Sequence, residues 1–407
     1  VVVGGVRRSA LISLSNLSDQ RIRTAKTGDW WTTNPERALA NNSVAYTEKP
    51  DAGIFMKEWL SLYESKSGER GIFNRSSAQA KAAENGRRDA DWDFGTNPCS
   101  EIILRPNQFC NLTEIVVRST DTMVTLIKKV QIATLLGTIQ STFTNFGYLR
   151  KRWQNNTEEE RLLGVSLTGI MDSPILNGRE TGLEKRLEAL REIAVETNRY
   201  WAKKFGINQS TAITCVKPSG TVSQLVDSAS GIHARHNPYY VRTVRGDNKD
   251  PLTEFMIASG IPSEPDYMKP EHTTVFSFPM KAPTGSVCRN DMTAIEQLEL
   301  WKTYAQHWCE HKPSVTISVK EEEWVPVGAW CWENFSHLSG VSFLPFSDHT
   351  YQQAPYQDID KATYENMAKK MPTSIDWQKL QDFEKEDNTK GSQELACTAG
   401  VCELVDI

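Results

Sequence analysis

The chain has 407 residues, 39% apolar and 24% charged, with a formal net charge of −5. That length suits two domains or one large one with an ample core, and the mild acidity argues against nucleic acid as a partner. No apolar run reaches about 18 residues and no signal peptide opens the chain, so a cytoplasmic protein without a membrane partner is expected.

Taken in order, the opening VVVGGVRRSALISLS reads as a strand, a turn and another apolar run without an initial Met. It suggests the C-terminal part of something larger. Residues 1–18 read as strand, and residues 28–50 as loop, short helix and strand. In residues 53–66, Ile54, Phe55, Trp59, Leu60 and Tyr63 recur at helical spacing. Residues 75–89 look helical, polar and exposed. In TNPCSEIILRPNQFCNLTEI (96–115), Pro98 and Pro106 exclude a regular helix and leave strand, loop, strand. Residues 121–153 read as one long helical segment with Leu126, Ile127, Val130 and Leu135 on one face. Residues 183–205 form an amphipathic helix stopped by Gly206. A strand over 210–216, a tight turn at Lys217–Gly220 and a helix follow. Further along come a helix at 293–311, a strand at 313–319, a helix around Pro326 and a strand at 339–346. Strands alternating with helices predict an α/β fold with parallel strands. From residue 384 the chain is polar and Gly-containing and reads as a mobile tail.

Asn97, Cys99 and Glu101 occupy every second position. On a strand they would share one face, about 6–7 Å apart. A carboxylate can take or return a hydroxyl proton, an amide can donate and accept, and a thiol can be a nucleophile or a hydrogen-atom acceptor. The blander alternatives are a core cysteine, a plain Asn-Pro turn and a solvated glutamate. Cys110 adds a second thiol nearby, and Cys397 and Cys402 lie five positions apart in the tail. A flexible terminal dithiol suits exchange with a deeper disulfide; an incidental pair is the competing reading. Cys215, Cys288, Cys309 and Cys331 read as buried, reduced thiols. In KPSGT (217–221), N–H groups at a helix start could cradle a phosphate, helped by the Ser219 and Thr221 hydroxyls. His233, Arg235 and His236 lack a third ligand of suitable spacing, so a structural or phosphate-proximal role is favoured and no metal site is expected.

NPCSEIIL, FCNLTEI, KPSGT and the Cys-x4-Cys tail together resemble the catalytic chain of ribonucleotide reductase, in its adenosylcobalamin-dependent (class II) form. VGGVRRSALISLS, SGIHARHNPYYVRTVR and SDHTYQQAPYQ resemble the same group, so the likeness runs along nearly the whole chain. It implies the C-terminal half of a ten-stranded α/β barrel with a central finger loop. Residues 1–350 would be the barrel portion with its finger near 96–115, residues 351–383 an extension, and residues 384–407 a flexible redox tail. By the same resemblance, Cys99 would carry the thiyl radical, Glu101 would take the 3′-hydroxyl proton and Asn97 would hold the substrate hydroxyls. Cys110 would be half of the reducing pair, and Cys397 and Cys402 would re-reduce it. Pro218, Ser219, Gly220 and Thr221 would bind the substrate phosphates. The implied cofactor is adenosylcobalamin. The implied partners are a ribonucleotide triphosphate, the N-terminal part of the same enzyme, and thioredoxin or a similar dithiol. The N-terminal part would hold the partner of Cys110, so the isolated chain is expected to be inactive. Tyr239-Tyr240 stands in a context unlike the class I tyrosine relay and is not assigned that role. Two alternatives stay open: a non-catalytic nucleotide-binding or assembly fragment of a split reductase, and a class I-type diphosphate reductase large subunit.

Overall fold

A computed structural model describes residues 11–346 and 352–384. Cys397, Cys402 and the opening valines lie outside the described residues. In chain order the strands are Leu11–Ser15 (β1), Ala40–Tyr46 (β2), Gly71–Asn74 (β3), Gly95–Thr96 (β4), Ile103–Leu104 (β5), Asn111–Val116 (β6), Leu163–Thr168 (β7), Tyr239–Asp247 (β8), Ser263–Pro265 (β9), Thr273–Lys281 (β10), Val315–Val319 (β11), Ser339–Pro345 (β12) and Tyr356–Asp358 (β13). Two compact units divide them. Of the described residues, 11–235 and 284–346 make the larger unit, and 236–283 with 352–384 make the smaller.

In the larger unit one sheet runs β1-β2-β3-β12-β11. All neighbours are parallel except β3 and β12. A second parallel pair, β6 and β7, connects to it through residues 212–216. That segment pairs in parallel with β7 at Val165↔Thr214 and with the approach to β11 at Val216↔Pro313. Hydrogen bonding therefore passes through five parallel segments, β6, β7, 212–216, β11 and β12, then through three of opposite sense, β3, β2 and β1. Ala212, Ile213, Cys215 and Val216 are buried, as expected for a strand covered on both faces.

Helices cover this sheet where sequence patterning and caps agree. Met123–Gln140 starts at a Thr122/Thr125 capping box and buries Leu126 and Val130. Leu183–Phe205 buries Leu187, Leu190 and Ala194, and Gly206 ends it at φ +67°. Ala294–His307 starts at a Thr293/Glu296 capping box and buries Leu298, Trp301 and Tyr304. These side chains share one core with Ile213, Val315 and Phe343.

Three expectations are corrected. The segment 121–153 is not one helix: it stops at Gln140 and a second helix runs Lys151–Glu160. Ser141 and Thr142 turn their hydroxyls back onto the carbonyls of Thr138 and Ile139, competing with continued helix. The helix at Arg75–Ala83 is not simply exposed, since Ser77, Ala78, Lys81 and Ala82 are buried. Its Lys81 ammonium is satisfied by the Ala305 carbonyl and Glu84. The helix Ala52–Ser65 faces inward through Phe55, Glu58 and Leu62, leaving Ile54 and Leu60 exposed. Buried Glu58 is tolerated because Arg70 pairs with both of its oxygens at 3.0 Å.

The smaller unit is an antiparallel sheet ordered β13-β8-β10-β9, with the helices Pro251–Ala258 and Lys361–Ala368. Among the described residues no helix is long and apolar enough to cross a membrane.

Candidate active site at a thiol-bearing hairpin

Strands β4 and β5 pair antiparallel, Thr96 opposite Ile103, and project residues 97–102 as a tip. The tip is a turn, not an extended strand. The Ser100 N–H donates to the Asn97 carbonyl at 2.9 Å, and Ser100 has φ +64°. Pro98 removes a ladder donor, and Asn-Pro favours turn initiation. The single strand face expected for Asn97, Cys99 and Glu101 is therefore not formed. Asn97 and Glu101 converge by chain reversal instead. Asn97 Nδ2 donates to Glu101 Oε1 at 2.7 Å, and Asn97 Oδ1 accepts the Ile102 N–H at 3.0 Å. Thr96 Oγ1 closes the loop on the Ile102 carbonyl at 2.8 Å.

Glu101 is fully buried. Its Oε1 also accepts Lys217 Nζ at 2.8 Å. Its Oε2 is buried with no hydrogen-bond partner among the described residues. A buried carboxylate oxygen without a donor costs on the order of 1–3 kcal/mol, which a ligand hydroxyl would relieve.

The tip is held from several sides. Asn41 Nδ2 donates to the Pro98 carbonyl at 2.8 Å, and the Lys312 N–H to the Glu101 carbonyl at 2.9 Å. Gly340 sits at the irregularity between β12 and β3, where the two strand directions meet. It has φ +74°, and a Cβ there would lie 2.9 Å from the Ser100 carbonyl oxygen and 3.0 Å from that of Pro313. Gly340→Ala is expected to cost roughly 1–3 kcal/mol and to displace the tip. A lower urea midpoint together with faster alkylation of Cys99 would register both effects.

The base of the hairpin is also fixed. His311 is fully buried and bridges two strands: Nδ1 accepts the Ile103 N–H at 3.3 Å and Nε2 donates to the Leu163 carbonyl at 3.0 Å. Arg88 donates to the Ile103 carbonyl at 3.0 Å and pairs with buried Glu160, which also binds Arg105.

Around this frame lie the two thiols. Cys99 is half-buried and lines a cavity of about 270 Å³ together with Asn41, Ser43, Glu69, Thr316 and Ser342. Cys110, just before β6, is also half-buried. A Cβ at Gly164 would come within 3.3 Å of its sulfur, so that glycine leaves the thiol room. Burial, then the Glu101 charge, pushes the Cys110 thiol above its ordinary range, against the pull of Arg88 and Lys217. All six described cysteines are thiols, and Cys215, Cys288, Cys309 and Cys331 are buried.

The 217–221 turn differs from its expected form. The helix after it is only Val222–Leu225, and the Thr221 side chain caps nothing. Ser219 donates its hydroxyl to Glu114 on β6, which also accepts Ser166 Oγ at 3.2 Å. Burial pushes the Glu114 carboxyl up, while the two serine hydroxyls and Lys217 pull it down. Pro218 lines the Cys99 cavity, and Gly220 and Thr221 are exposed. His233 uses both ring nitrogens on backbone groups, Ser230 O at 2.9 Å and Thr316 N at 3.0 Å. Arg235 grips Asp172 at 2.8 and 2.9 Å. In the smaller unit, His236 pairs with Asp358 at 2.7 Å. Among the described residues, no group of three or more His, Cys, Asp or Glu could hold a metal ion. Sequence reasoning missed Lys217, Glu114, His311 and the Arg88–Glu160–Arg105 cluster. Lys217 and Glu114 stood inside quoted motifs; the others act across long sequence separations.

No family model matches the chain. The fold, however, is that of a ribonucleotide reductase. A crystal structure of a B-12 dependent (class II) ribonucleotide reductase superposes with a TM-score of 0.76 at 23% identity, over 92% of this chain and 55% of that one. The class Id ribonucleotide reductase alpha subunit of Actinobacillus ureae gives 0.55 at 12% identity, over 83% and 70%. In sequence, the adenosylcobalamin-dependent ribonucleoside-triphosphate reductase of Lactobacillus delbrueckii subsp. bulgaricus is 27% identical over 99% of this chain and 58% of its own length. That of Lactobacillus leichmannii gives the same figures, and that of Euglena gracilis is 28% identical over 92% and 51%. The chain is a homologue of the class II, adenosylcobalamin-dependent ribonucleotide reductases and spans a little over half the length of these relatives.

Proposed function

We propose that this chain is the finger-bearing catalytic part of an adenosylcobalamin-dependent ribonucleoside-triphosphate reductase, completed by an N-terminal part. The observation that carries this reading is the buried Glu101. It is tethered by Asn97 and Lys217 through one oxygen, while the other oxygen has no described partner, two residues from Cys99. In the proposed reaction, Cys99 as a thiyl radical takes the 3′-hydrogen and Glu101 takes the 3′-hydroxyl proton. Asn97 orients the hydroxyls, and the 2′-hydroxyl leaves as water. Two electrons and two protons come from Cys110 and a partner thiol in the N-terminal part, which close to a disulfide; one proton completes the water and the other reaches C2′, while Cys99 returns its hydrogen atom to C3′ and Glu101 returns the hydroxyl proton. The tail thiols Cys397 and Cys402 then reduce that disulfide, drawing on thioredoxin or a similar dithiol. Pro218, Gly220 and Thr221 are the proposed phosphate contacts, with Ser219 positioned by Glu114.

The residues present suit the adenosyl side of the cofactor. The cavity bordered by Cys99, lined by both polar and apolar side chains, has the scale of a nucleoside and lies just below the usual range of about 300–1,000 Å³ for small-molecule sites. Asn41, Ser43, Thr316 and Ser342 would hold that group. When bound, adenosylcobalamin supplies the unpaired electron. The strand count supports the barrel reading as well. Five parallel segments followed by three of opposite sense would fill eight positions of a ten-stranded barrel, more than the half expected from the sequence, and would leave two strands for the N-terminal part.

The isolated chain with cofactor and dithiol is expected to show no turnover, and adding the N-terminal part should restore it. Cys99→Ser in the restored enzyme should abolish deoxyribonucleotide formation. Measured turnover in that variant, with folding intact by circular dichroism, would refute the radical assignment.

A further inference from the structure

We propose that Lys217 is a positioning residue of this site: with the Asn97 amide it anchors Glu101 Oε1, so that the buried carboxylate is charge-compensated and presents Oε2 to a substrate hydroxyl. Three observations carry the proposal. Glu101 is fully buried, so its charge needs a compensating partner. The Lys217 ammonium lies 2.8 Å from Oε1 and is itself mostly buried, at 16% side-chain exposure. Both known donors, Asn97 and Lys217, take the same oxygen, and the other is buried without a described partner.

The chain itself restrains the lysine. The Lys217 N–H donates to Ser166 Oγ at 2.9 Å on β7, and the next strand approach is tied by the Ser314 N–H to the Val216 carbonyl at 2.9 Å. The ammonium therefore reaches the hairpin from the end of the 212–216 strand, whereas Asn97 belongs to the hairpin turn itself. Two separate elements thus clamp one oxygen. A rotation of the Glu101 carboxylate would cost both contacts at once, which fixes Oε2 in place. Glu114 is a second carboxylate within electrostatic range of Lys217. It already accepts two serine hydroxyls, whereas Glu101 makes the direct contact with the ammonium. Only the identity of what Oε2 receives rests on the proposed reductase reaction; the clamp does not.

A double-mutant cycle on the full 407-residue chain tests the clamp without turnover. Lys217→Met should lower the urea midpoint clearly in the wild-type background. In a Glu101→Gln background, where no buried charge is left uncompensated, it should lower the midpoint little. Should Lys217→Met fail to fold, recovery of folding in the Glu101→Gln/Lys217→Met double variant is the supporting result. Equal losses in both backgrounds, failure of the double variant to fold, or coupling to Glu114→Gln in place of Glu101→Gln would overturn the proposal. In the enzyme restored with its N-terminal part, Lys217→Met should reduce kcat by roughly 100-fold with little change in KM, the scale of a misplaced proton acceptor. Lys217→Arg should recover most of that loss. A rise in KM with kcat unchanged would contradict the positioning role. Absence of turnover in the unmutated restored enzyme would count against the reductase reading, and the cycle would still decide for or against the clamp.

Discussion

Glu160→Ala is expected to lower the unfolding free energy by about 3–5 kcal/mol, because it removes the buried carboxylate shared by two buried guanidinium groups and leaves Arg88 without an anionic partner. Arg88 binds Glu160 through Nε and Nη2, both at 2.9 Å, and Arg105 Nη2 reaches it at 3.0 Å. Side-chain exposure is 1% for Arg88 and Glu160 and 2% for Arg105, so solvent cannot take over the lost pairing. Without Glu160, Arg88 would keep the neutral Ile103 carbonyl and Gln108 Oε1, and Arg105 would keep the exposed Glu159 at 3.1 Å; both guanidinium groups also lie over aromatic faces, Arg88 over Phe94 at 4.7 Å and Arg105 over Trp92 at 4.5 Å. Those faces attract a cation but do not neutralise it. The damage should concentrate at the hairpin. Arg88 also holds the Ile103 carbonyl, and the Arg105 N–H is bound by Gln108 Oε1 at 2.8 Å. Loosening this base frees the strand that carries the Cys99 turn. Urea denaturation measures the loss, and Glu160→Gln should lose less because it fills the same space and keeps one acceptor oxygen for the arginines. The exposed pair Arg199–Glu196 is a control: Glu196→Ala should change stability by less than about 1 kcal/mol. A Glu160→Ala loss that small would mean the arginines find other partners.

The contrast between those two ion pairs explains what was legible in the sequence. Leu183–Phe205, with strong periodicity and a terminal Gly206, could be read to the residue, and the capped start of Ala294–His307 to within one, although that helix ends four residues before the expected 311. β11 and β12 could also be read, where β-branched and apolar runs stand between turn residues. The break at residues 141–150 was missed because hydroxyl back-bonding competes with a helix only weakly and locally. The motif NPCSE marked the site, yet its alternation suggested a strand face. The conformational restriction imposed by Pro98 and the positive φ of Ser100 make a turn instead. Lys217, His311 and Glu160 escaped because their importance lies in contacts 116, 208 and 72 residues away in sequence. Local pattern carries no record of such pairings. Glu160 in particular looks like one of several acidic residues ending a polar helix. Only its burial beside two arginines distinguishes it from its neighbours Glu158 and Glu159, which are not buried.

Acid should loosen the same hairpin through His311. Burial is the largest cause holding its imidazole neutral, with the Arg88 charge next, and its pKa falls from 6.5 to about 3. The Leu163 carbonyl opposes this by favouring the charged ring, and Lys81 adds to the depression. The hydrogen bonds point the same way: Nδ1 accepts from the Ile103 N–H, so a proton there would set donor against donor. The unfolded chain binds this proton near 6.5 and the folded chain only near 3. Its contribution is therefore fully present above 6.5 and is lost as pH falls through the window from 6.5 to 3. At about 1.4 kcal/mol per pH unit, the loss across the whole window is on the order of 5 kcal/mol. Glu69 and Glu114 oppose it, because burial raises both carboxyls and so favours their protonated forms in the folded chain. The test is therefore a difference between variants. His311→Gln keeps an acceptor for Ile103 and a donor for Leu163 but cannot titrate. Its urea midpoint should fall more gently than that of the unmutated chain between pH 6.5 and pH 4, and alkylation of Cys99 at low pH should slow correspondingly. Parallel pH profiles for the two proteins would show that His311 is not the titrating link between the Ile103 strand and β7.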